Sequence, residues 1–326
     1  MSRVLVTGAT GLVGSGVTKR LAETDREVLA MGRRDPPGWI DETDVEYVQG
    51  DIRDESLLEE TVADVDTVVH LAAKTGAGGE WEEFHEITVE ATETLFDILE
   101  EEGGKRVILV SSMGNYAGAS MRDDATVDER FPLEPEPEKR PHYAHAKTLQ
   151  DEFAQGYLDS EAMDLTIVRP GVVLSPEIDN PLLGAALRAK DFAWLMLDDG
   201  ERDYQFVHLH DVAEGIYRLL ETERSVGEIY NLVWPGLTTR NDAVEAYRDA
   251  FDDDRPVIRL YLSYFLPFFE IADRVDGFLP GPPRYLAYQL SRYVARVNWS
   301  GTKIEEHTGW APEMSIEETY EDLAHA

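Results

Sequence analysis

The feature that most narrows what this 326-residue chain can fold into is an apolar run ending in three glycines, Val4-Leu5-Val6-Thr7-Gly8-Ala9-Thr10-Gly11-Leu12-Val13-Gly14. Valine-rich sequence before the glycines and helical apolar spacing from Leu12 to Ala22 after them predict a strand, a tight turn and a helix. At such a junction glycine lets the backbone turn and approach a ligand closely, while the helix's free N–H groups and positive dipole end favour an anion. The expected ligand is a dinucleotide held by its pyrophosphate, with contacts from Gly8, Thr10, Gly11, Leu12, Val13 and Gly14. The spacing is Gly-x-x-Gly-x-x-Gly rather than Gly-x-Gly-x-x-Gly, so the assignment depends on the segments C-terminal to the turn.

Those segments alternate between strand and helix patterns. Strands are predicted at Glu27–Met31, near Val45–Val48, at Thr67–Leu71 and at Arg106–Val110, which implies a doubly wound parallel α/β sheet. After the second strand a carboxylate usually binds the ribose 2′-hydroxyl and repels a 2′-phosphate. Here the chain reads Met31-Gly32-Arg33-Arg34, and two guanidiniums in that place favour NADP, with NAD the alternative if both arginines are merely solvated. Asp51, at a strand end beside Ile52, is positioned to accept from an adenine amino group, and Asp54 to cap the next helix. His70 reads as a hydrogen-bonded strand-end histidine; Leu71 ends the strand, and Ala72 and Ala73 are small residues that let the cofactor lie against the backbone, all three being expected cofactor contacts. A loop with Gly76, Gly78 and Gly79 leads into a helix predicted from Trp81 to Glu102.

The fifth strand ends in Ser111-Ser112-Met113-Gly114, and a Pro- and charge-rich loop then leads to Tyr143-Ala144-His145-Ala146-Lys147 in a helix expected to reach Leu158. Residues four apart share one helix face. A phenol with its ordinary pKa near 10 is a poor acid or base at neutral pH, and an adjacent ammonium is expected to lower it by stabilising the phenolate. Tyr143 is therefore the candidate proton carrier and Lys147 its partner, with Ser112 from a neighbouring strand end hydrogen-bonding the substrate oxygen.

Together these segments resemble the extended short-chain dehydrogenase/reductases, the NAD-dependent epimerase/dehydratase family. Thr7-Gly8-Ala9-Thr10-Gly11-Leu12-Val13-Gly14 is similar to the family's first turn, Gly50-Asp51-Ile52-Arg53-Asp54 to its adenine site, and His70-Leu71-Ala72-Ala73 to its fourth strand. Phe206-Val207-His208-Leu209-His210-Asp211-Val212-Ala213 and Gly309-Trp310-Ala311-Pro312 also match its habits. The resemblance implies a Ser112-Tyr143-Lys147 catalytic set, cofactor contacts that add Pro170, Tyr143 and Lys147, and hydride transfer at a secondary alcohol or ketone of a sugar-like substrate. Lys74, Met113, Gly114, Val172 and Arg202 are the expected substrate contacts. Three departures bear on the substrate. Thr88 stands where the family's Asn-Val-x-Gly-Thr pattern has Asn, Val172 where sugar-nucleotide epimerases often carry a diphosphate-touching Asn, and Met113-Gly114 where the 4,6-dehydratases carry an acidic pair. Two alternatives stay open: a reductase of the 3β-hydroxysteroid dehydrogenase-like or dihydroflavonol reductase-like type on an apolar substrate, and a non-catalytic NAD(P)-binding sensor or assembly protein.

Composition bounds the rest. Asp and Glu number 65 against 30 Lys and Arg, a formal charge of −35 spread along the chain, while 43% hydrophobic content argues against disorder. Dense surface carboxylates whose repulsion is screened at high salt suggest a halophile's protein, and they disfavour nucleic acid as a partner. With no cysteine, disulfides, thiolate catalysis and cysteine-ligated metals are excluded; no metal site is expected. Neither a signal segment nor a spanning run is evident, so a cytoplasmic protein without membrane contact is expected. Residues 1–175 are expected to form mainly the dinucleotide-binding domain and 176–326 mainly a substrate lobe, with 203–235 returning to the sheet. The aromatic stretch from Leu260 to Phe269, continued by Phe278 to Tyr285, is expected to be core, a homodimer interface or a lid over an apolar substrate.

Overall fold

The computed structural model describes residues 2–76, 78–190, 192–262, 264–265, 288, 290 and 295–325. The first half runs β1 (Arg3–Thr7), α1 (Leu12–Ala22), β2 (Glu27–Gly32), β3 (Glu46–Gln49), α2 (Glu55–Ala63), β4 (Thr67–His70), α3 (Trp81–Phe84), α4 (Ala91–Glu102), β5 (Lys105–Val110), β6 (Ala125–Val127) and α5 (His142–Gln155). It continues with β7 (Met163–Pro170), β8 (Val172–Leu174), β9 (Leu187–Ala189), β10 (Ala193–Met196), β11 (Phe206–His208), α6 (Leu209–Leu220) and β12 (Glu228–Leu232). The end of the chain holds α7 (Arg240–Phe251), β13 (Val257–Arg259), β14 (Val297–Trp299), α8 (Thr302–Thr308) and α9 (Ile316–His325).

Seven strands form one sheet in the order β12-β7-β5-β4-β1-β2-β3, with every pairing parallel. Both faces are covered, so the strands read as near-continuous apolar runs. In β1, Val4 and Val6 enter the core on one face while Leu5 enters the other. The chain begins mid-sheet at β1, builds outward to β3 and crosses back to β4. Strand order thus reverses between β1 and β4, and a crevice opens beyond their carboxyl ends. The doubly wound parallel fold expected from the sequence is the fold observed. Glu228–Leu232 joins the sheet edge beside β7.

Smaller sheets, β13-β10-β9 and β11-β8, flank the later helices, and an apolar cluster around Trp194, Phe206, Tyr247 and Tyr320 packs them together. Of the aromatic stretch from residue 260, Leu262 is buried and Tyr261, Tyr264 and Phe265 are exposed; Phe268, Phe269 and 278–285 lie outside the described residues. Among the described residues no helix is long and apolar enough to cross a membrane.

The helix predicted over 81–102 is interrupted. Between α3 and α4, His85–Glu90 forms a π-turn, and its Thr88 carbonyl accepts from Thr92 Oγ1 at 2.7 Å and from Gln150 Nε2 at 3.2 Å. Periodicity alone does not reveal this, because one of the two side chains on the Thr88 carbonyl, Gln150, comes from α5.

A buried ion pair locks α5 to the sheet. Arg169, in β7, donates to Asp151 through Nε at 2.9 Å and Nη2 at 2.6 Å, with both side chains almost fully buried. Asp151 also accepts from Ser111 Oγ at 2.5 Å, and Arg169 reaches Tyr116 Oη at 3.1 Å. Asp151→Ala leaves the guanidinium buried without its carboxylate and is expected to lower unfolding stability by about 3–5 kcal/mol, measured by urea denaturation.

Candidate active site

The carboxyl ends of β1, β4 and β5 meet at one edge of the sheet, and the turn after β1 is shaped by close backbone approach. Gly8 has φ +69°, and a Cβ there would sit 2.8 Å from the Ala72 backbone nitrogen. At Gly14 a Cβ would lie 2.1 Å from the Gly8 carbonyl oxygen, so both positions admit only glycine without movement. Gly11 occupies the N-cap of α1 with no side-chain cap and no acidic residue in the first turn, which leaves N–H groups and the dipole end free for an anion. Beside this turn lies a cavity of about 360 Å³ lined by Thr10, Gly11, Leu12, Ser15, Lys19, Pro37, Trp39 and Glu177. This cradle fits a dinucleotide's pyrophosphate.

Of the other expected cofactor contacts, Leu71 and Ala73 are half-buried, and Ile52, Ala72 and Pro170 are buried. The backbone N–H groups of Leu71 and Ala72 are fixed by Thr7 Oγ1 at 3.2 and 3.3 Å. Arg33 and Arg34 are exposed, their backbone carbonyls accepting from Gln49 Nε2 at 3.4 Å and Tyr47 Oη at 2.6 Å. Asp51 is already engaged: Arg53 donates to both its oxygens at 2.9 Å, and these bonds hold its carboxyl down at about 2. A contact to adenine would use the remaining lone pairs. Asp54 caps α2, its Oδ1 accepting from Leu57 N at 3.2 Å.

Ser112, Tyr143 and Lys147 come together beside this edge. Ser112 Oγ accepts from Gly114 N at 3.0 Å, and its hydroxyl lies near enough to the Tyr143 phenol to favour the phenolate. Lys147 is buried on the next turn of α5 and donates from Nζ to Val110 O and to Gln150 Oε1, both at 2.7 Å. Burial pulls the Lys147 ammonium down to about 8, against the opposing pull of the Asp151 carboxylate.

The Tyr143 phenol lies above its usual value because burial raises it more than the nearby Ser112 hydroxyl lowers it.

His70, fully buried, is hydrogen-bonded on both sides, Nδ1 to Thr7 Oγ1 at 2.7 Å and Nε2 to Thr92 Oγ1 at 2.9 Å. Burial, then the Lys147 charge, push it down to about 3, so it is neutral at physiological pH.

The expected substrate contacts scatter. Gly114 adjoins Ser112. Lys74 pairs with Glu83 at 2.8 Å. Val172 is half-buried in β8, against the later apolar cluster. Met113 has no exposed surface; its side chain packs with Tyr116, Met121 and Val127, because the short turn at 113–115 directs it inward. Arg202 pairs with Asp198 at 2.9 Å and lines a separate cavity of about 110 Å³ with Arg296, Tyr261 and Leu262, a lining that excludes Ser112, Tyr143 and Lys147.

Sequence reading missed the polar residues behind the site: Thr7, Thr92, Gln150, Asp151 and Arg169. Asp151 had a legible signal, since it continues the 143–147 spacing by one more turn of the same helix. Gln150 and Thr92 had none.

Comparison with known proteins identifies the fold's lineage. The model of the NAD dependent epimerase/dehydratase family matches residues 4–232. The chain belongs to this family. Relatives include an Escherichia coli N-acetyl-alpha-D-glucosaminyl-diphospho-ditrans,octacis-undecaprenol 4-epimerase, 23% identical with 95% of this chain and 90% of that one covered. Another is a low-salt glycan biosynthesis protein of Haloferax volcanii, 26% identical over 70% of this chain and 76% of its own. A third, the decarboxylating sterol-4-alpha-carboxylate 3-dehydrogenase of Dictyostelium discoideum, is 25% identical over 78% and 75%. Among solved structures, gox2253 superposes with a TM-score of 0.81 at 23% identity, covering 99% of this chain and 97% of that one. Bacillus cereus UDP-glucuronic acid 4-epimerase, in complex with UDP-glucuronic acid and NAD, gives 0.74 at 18% identity, covering 99% and 98%. These superpositions establish the shared fold. This family member is an NAD(P)-dependent epimerase or oxidoreductase of the extended short-chain dehydrogenase/reductase type.

Gly8→Ala forces a Cβ into the β4 strand end. It is expected to weaken NADH binding at least about tenfold, roughly 1.4 kcal/mol, by fluorescence titration.

Proposed function

We propose that Ser112, Tyr143 and Lys147 carry out proton transfer at the oxygen of a secondary alcohol or ketone on a sugar-like substrate, nucleotide sugars included. The observation that carries this reading is the nearness of the Ser112 hydroxyl to the Tyr143 phenol, beside the glycine turn, with a buried ammonium one helical turn further on. When bound, the dinucleotide supplies hydride acceptance and return. Its pyrophosphate would be held by the turn from Gly8 to Gly14, and its ribose by Tyr143 and Lys147. The Ser112 hydroxyl steadies the substrate oxygen, and the Tyr143 phenol gives or takes its proton. Lys147, with two of its protons committed to Val110 O and Gln150 Oε1, keeps the third for a ribose hydroxyl and adds positive charge behind the reacting oxygen. Burial alone raises the phenol pKa, so the positive charge gathered around the loaded site has to offset it.

NADP is the proposed cofactor, with NAD the alternative. The support is the pair of exposed guanidiniums at Arg33 and Arg34 in the place where a carboxylate would repel a 2′-phosphate. Salt adaptation, a cytoplasmic setting and a homodimer belong to the same proposal, the first resting on the net charge of −35.

A second reading, a net reductase acting on an apolar substrate, is favoured by Val172, an apolar residue where a diphosphate-touching Asn would suit a nucleotide sugar. Absorbance at 340 nm separates the two: an epimerase leaves the nicotinamide unchanged after turnover, and a reductase consumes it.

Tyr143→Phe should bind NAD(P)H as the parent does and lose turnover by about 10²–10⁴-fold; retained activity would remove the phenol from the proton path. Arg33→Ala with Arg34→Ala should weaken NADPH binding about tenfold or more and leave NADH binding unaltered, and tighter binding of NADH by the parent would overturn the phosphate-clamp reading. Thermal unfolding followed from about 0.1 to 2 M KCl should shift upward with salt, and a flat profile would remove the salt adaptation.

A further inference from the structure

One side chain of α5 is buried against the ammonium and has no part in the chemistry above. Gln150 is fully buried, and both ends of its amide are in use. Its Oε1 accepts from Lys147 Nζ at 2.7 Å, while Nε2 donates to Thr92 Oγ1 at 2.7 Å and to Thr88 O at 3.2 Å.

Donor and acceptor counting fixes that orientation. An ammonium only donates, so an amide oxygen must face Lys147. On the other side, Thr7 Oγ1 accepts from Ala72 N–H at 3.3 Å and shares the Leu71 N–H, at 3.2 Å, with the Thr7 carbonyl at 3.3 Å, an arrangement in which its own proton goes to His70 Nδ1 at 2.7 Å. His70, neutral, then carries its proton on Nε2 and donates to Thr92 Oγ1 at 2.9 Å. The Thr92 proton goes to Thr88 O at 2.7 Å, so Thr92 Oγ1 can only accept from Gln150. A flipped amide would set NH₂ against the ammonium and oxygen against an oxygen with no proton left to give. Each polar group between Thr7 and Lys147 is satisfied in this arrangement.

We propose that Gln150 is a positioning residue for this site, holding the Lys147 ammonium and tying it through Thr92, His70 and Thr7 to the strand end that opens the glycine turn. The assignment rests on the reading of Lys147 as the partner of Tyr143. With Val110 O and Gln150 Oε1 taking two of the three N–H vectors, the third has one direction left. Thr88 stands where the family pattern has Asn, and Gln150 supplies a side-chain amide from the facing helix. The charged and titratable groups around Lys147 are Asp151 on its own helix, which favours the ammonium, the Tyr143 phenol one turn back, raised by burial and neutral, and His70 from β4, which is neutral. Gln150 is the neutral member whose replacement changes that balance in a chosen direction.

The test needs no substrate. The chain has seven lysines, so ¹³Cε-lysine NMR resolves their titrations, with Lys147 assigned by its absence in Lys147→Arg. Gln150→Met removes the acceptor while keeping the length, and Lys147 should titrate about one pH unit lower than in the parent. Gln150→Glu puts a carboxylate against the ammonium, and Lys147 should titrate at least about one pH unit higher. A packing role alone would not move the two variants in opposite directions. An unchanged Lys147 titration in either folded variant overturns the proposal. If Gln150→Met fails to fold, judged by near-ultraviolet circular dichroism, Gln150→Glu decides alone. Should the lysine shift as stated while Tyr143→Phe keeps its activity, Gln150 would still position Lys147 and only the catalytic reading would fall.

Discussion

Holding an ammonium out of water is the constraint on which the working edge of the sheet depends. Lys147 is 3% exposed, and an unpaired charge at that depth would cost several kcal/mol. The structure offsets the cost with oxygen acceptors rather than a direct carboxylate partner: one backbone carbonyl at the end of β5 and one amide oxygen on α5. Each acceptor then needs its own support. The Gln150 amide is braced by Thr88 and Thr92, Thr92 by His70, and His70 by Thr7, so a charge in the helix is held from the first strand of the sheet. The π-turn belongs to the same arrangement, since it presents the Thr88 carbonyl to two side chains at once.

Three further contacts keep that edge in register. Gly8 brings the end of β1 against the Leu71-Ala72 backbone so closely that no side chain fits between, which narrows the crevice at the point where strand order reverses. Behind α5, the Arg169–Asp151 pair joins helix to sheet, and Asn115 Nδ2 bridges Ser111 Oγ and the Lys147 carbonyl, both at 2.9 Å. The strand end that carries Ser112 and the helix that carries Tyr143 are therefore coupled through buried polar groups, which gives Ser112 a fixed place beside the phenol.

Positive charge is scarce in a chain of net charge −35, which makes its placement informative. Much of it answers carboxylates locally, as Arg53 does at Asp51 and Arg202 and Arg240 do at Asp198. Lys147 is different in kind: it is charged, buried and neutralised by dipoles rather than by an ion pair. Such a group keeps its charge available to whatever enters the crevice, because no fixed anion cancels it at contact.

Local chemistry made the first turn, the strand and helix alternation and the Tyr143–Lys147 face legible in the sequence, because each depends on residues near one another in the chain. Glycine at Gly8 and Gly14 marks a turn, a period of two or 3.6 marks a strand or helix, and a spacing of four marks a shared face. Family resemblance extended that reading to Ser112, thirty-one residues before Tyr143. What only the tertiary structure decided is long-range and polar: the π-turn at 85–90, the inward course of Met113, the separation of the Arg202 cavity from the Ser112-Tyr143-Lys147 cluster, and the chain of hydrogen bonds from Thr7 to Lys147. None of these has a sequence period. A Gln or Thr is equally at home on a solvated surface, and it acquires a role only when folding brings it to a buried charge that needs an acceptor. The phenol's raised pKa belongs to the same class, since burial is a property of the packed fold.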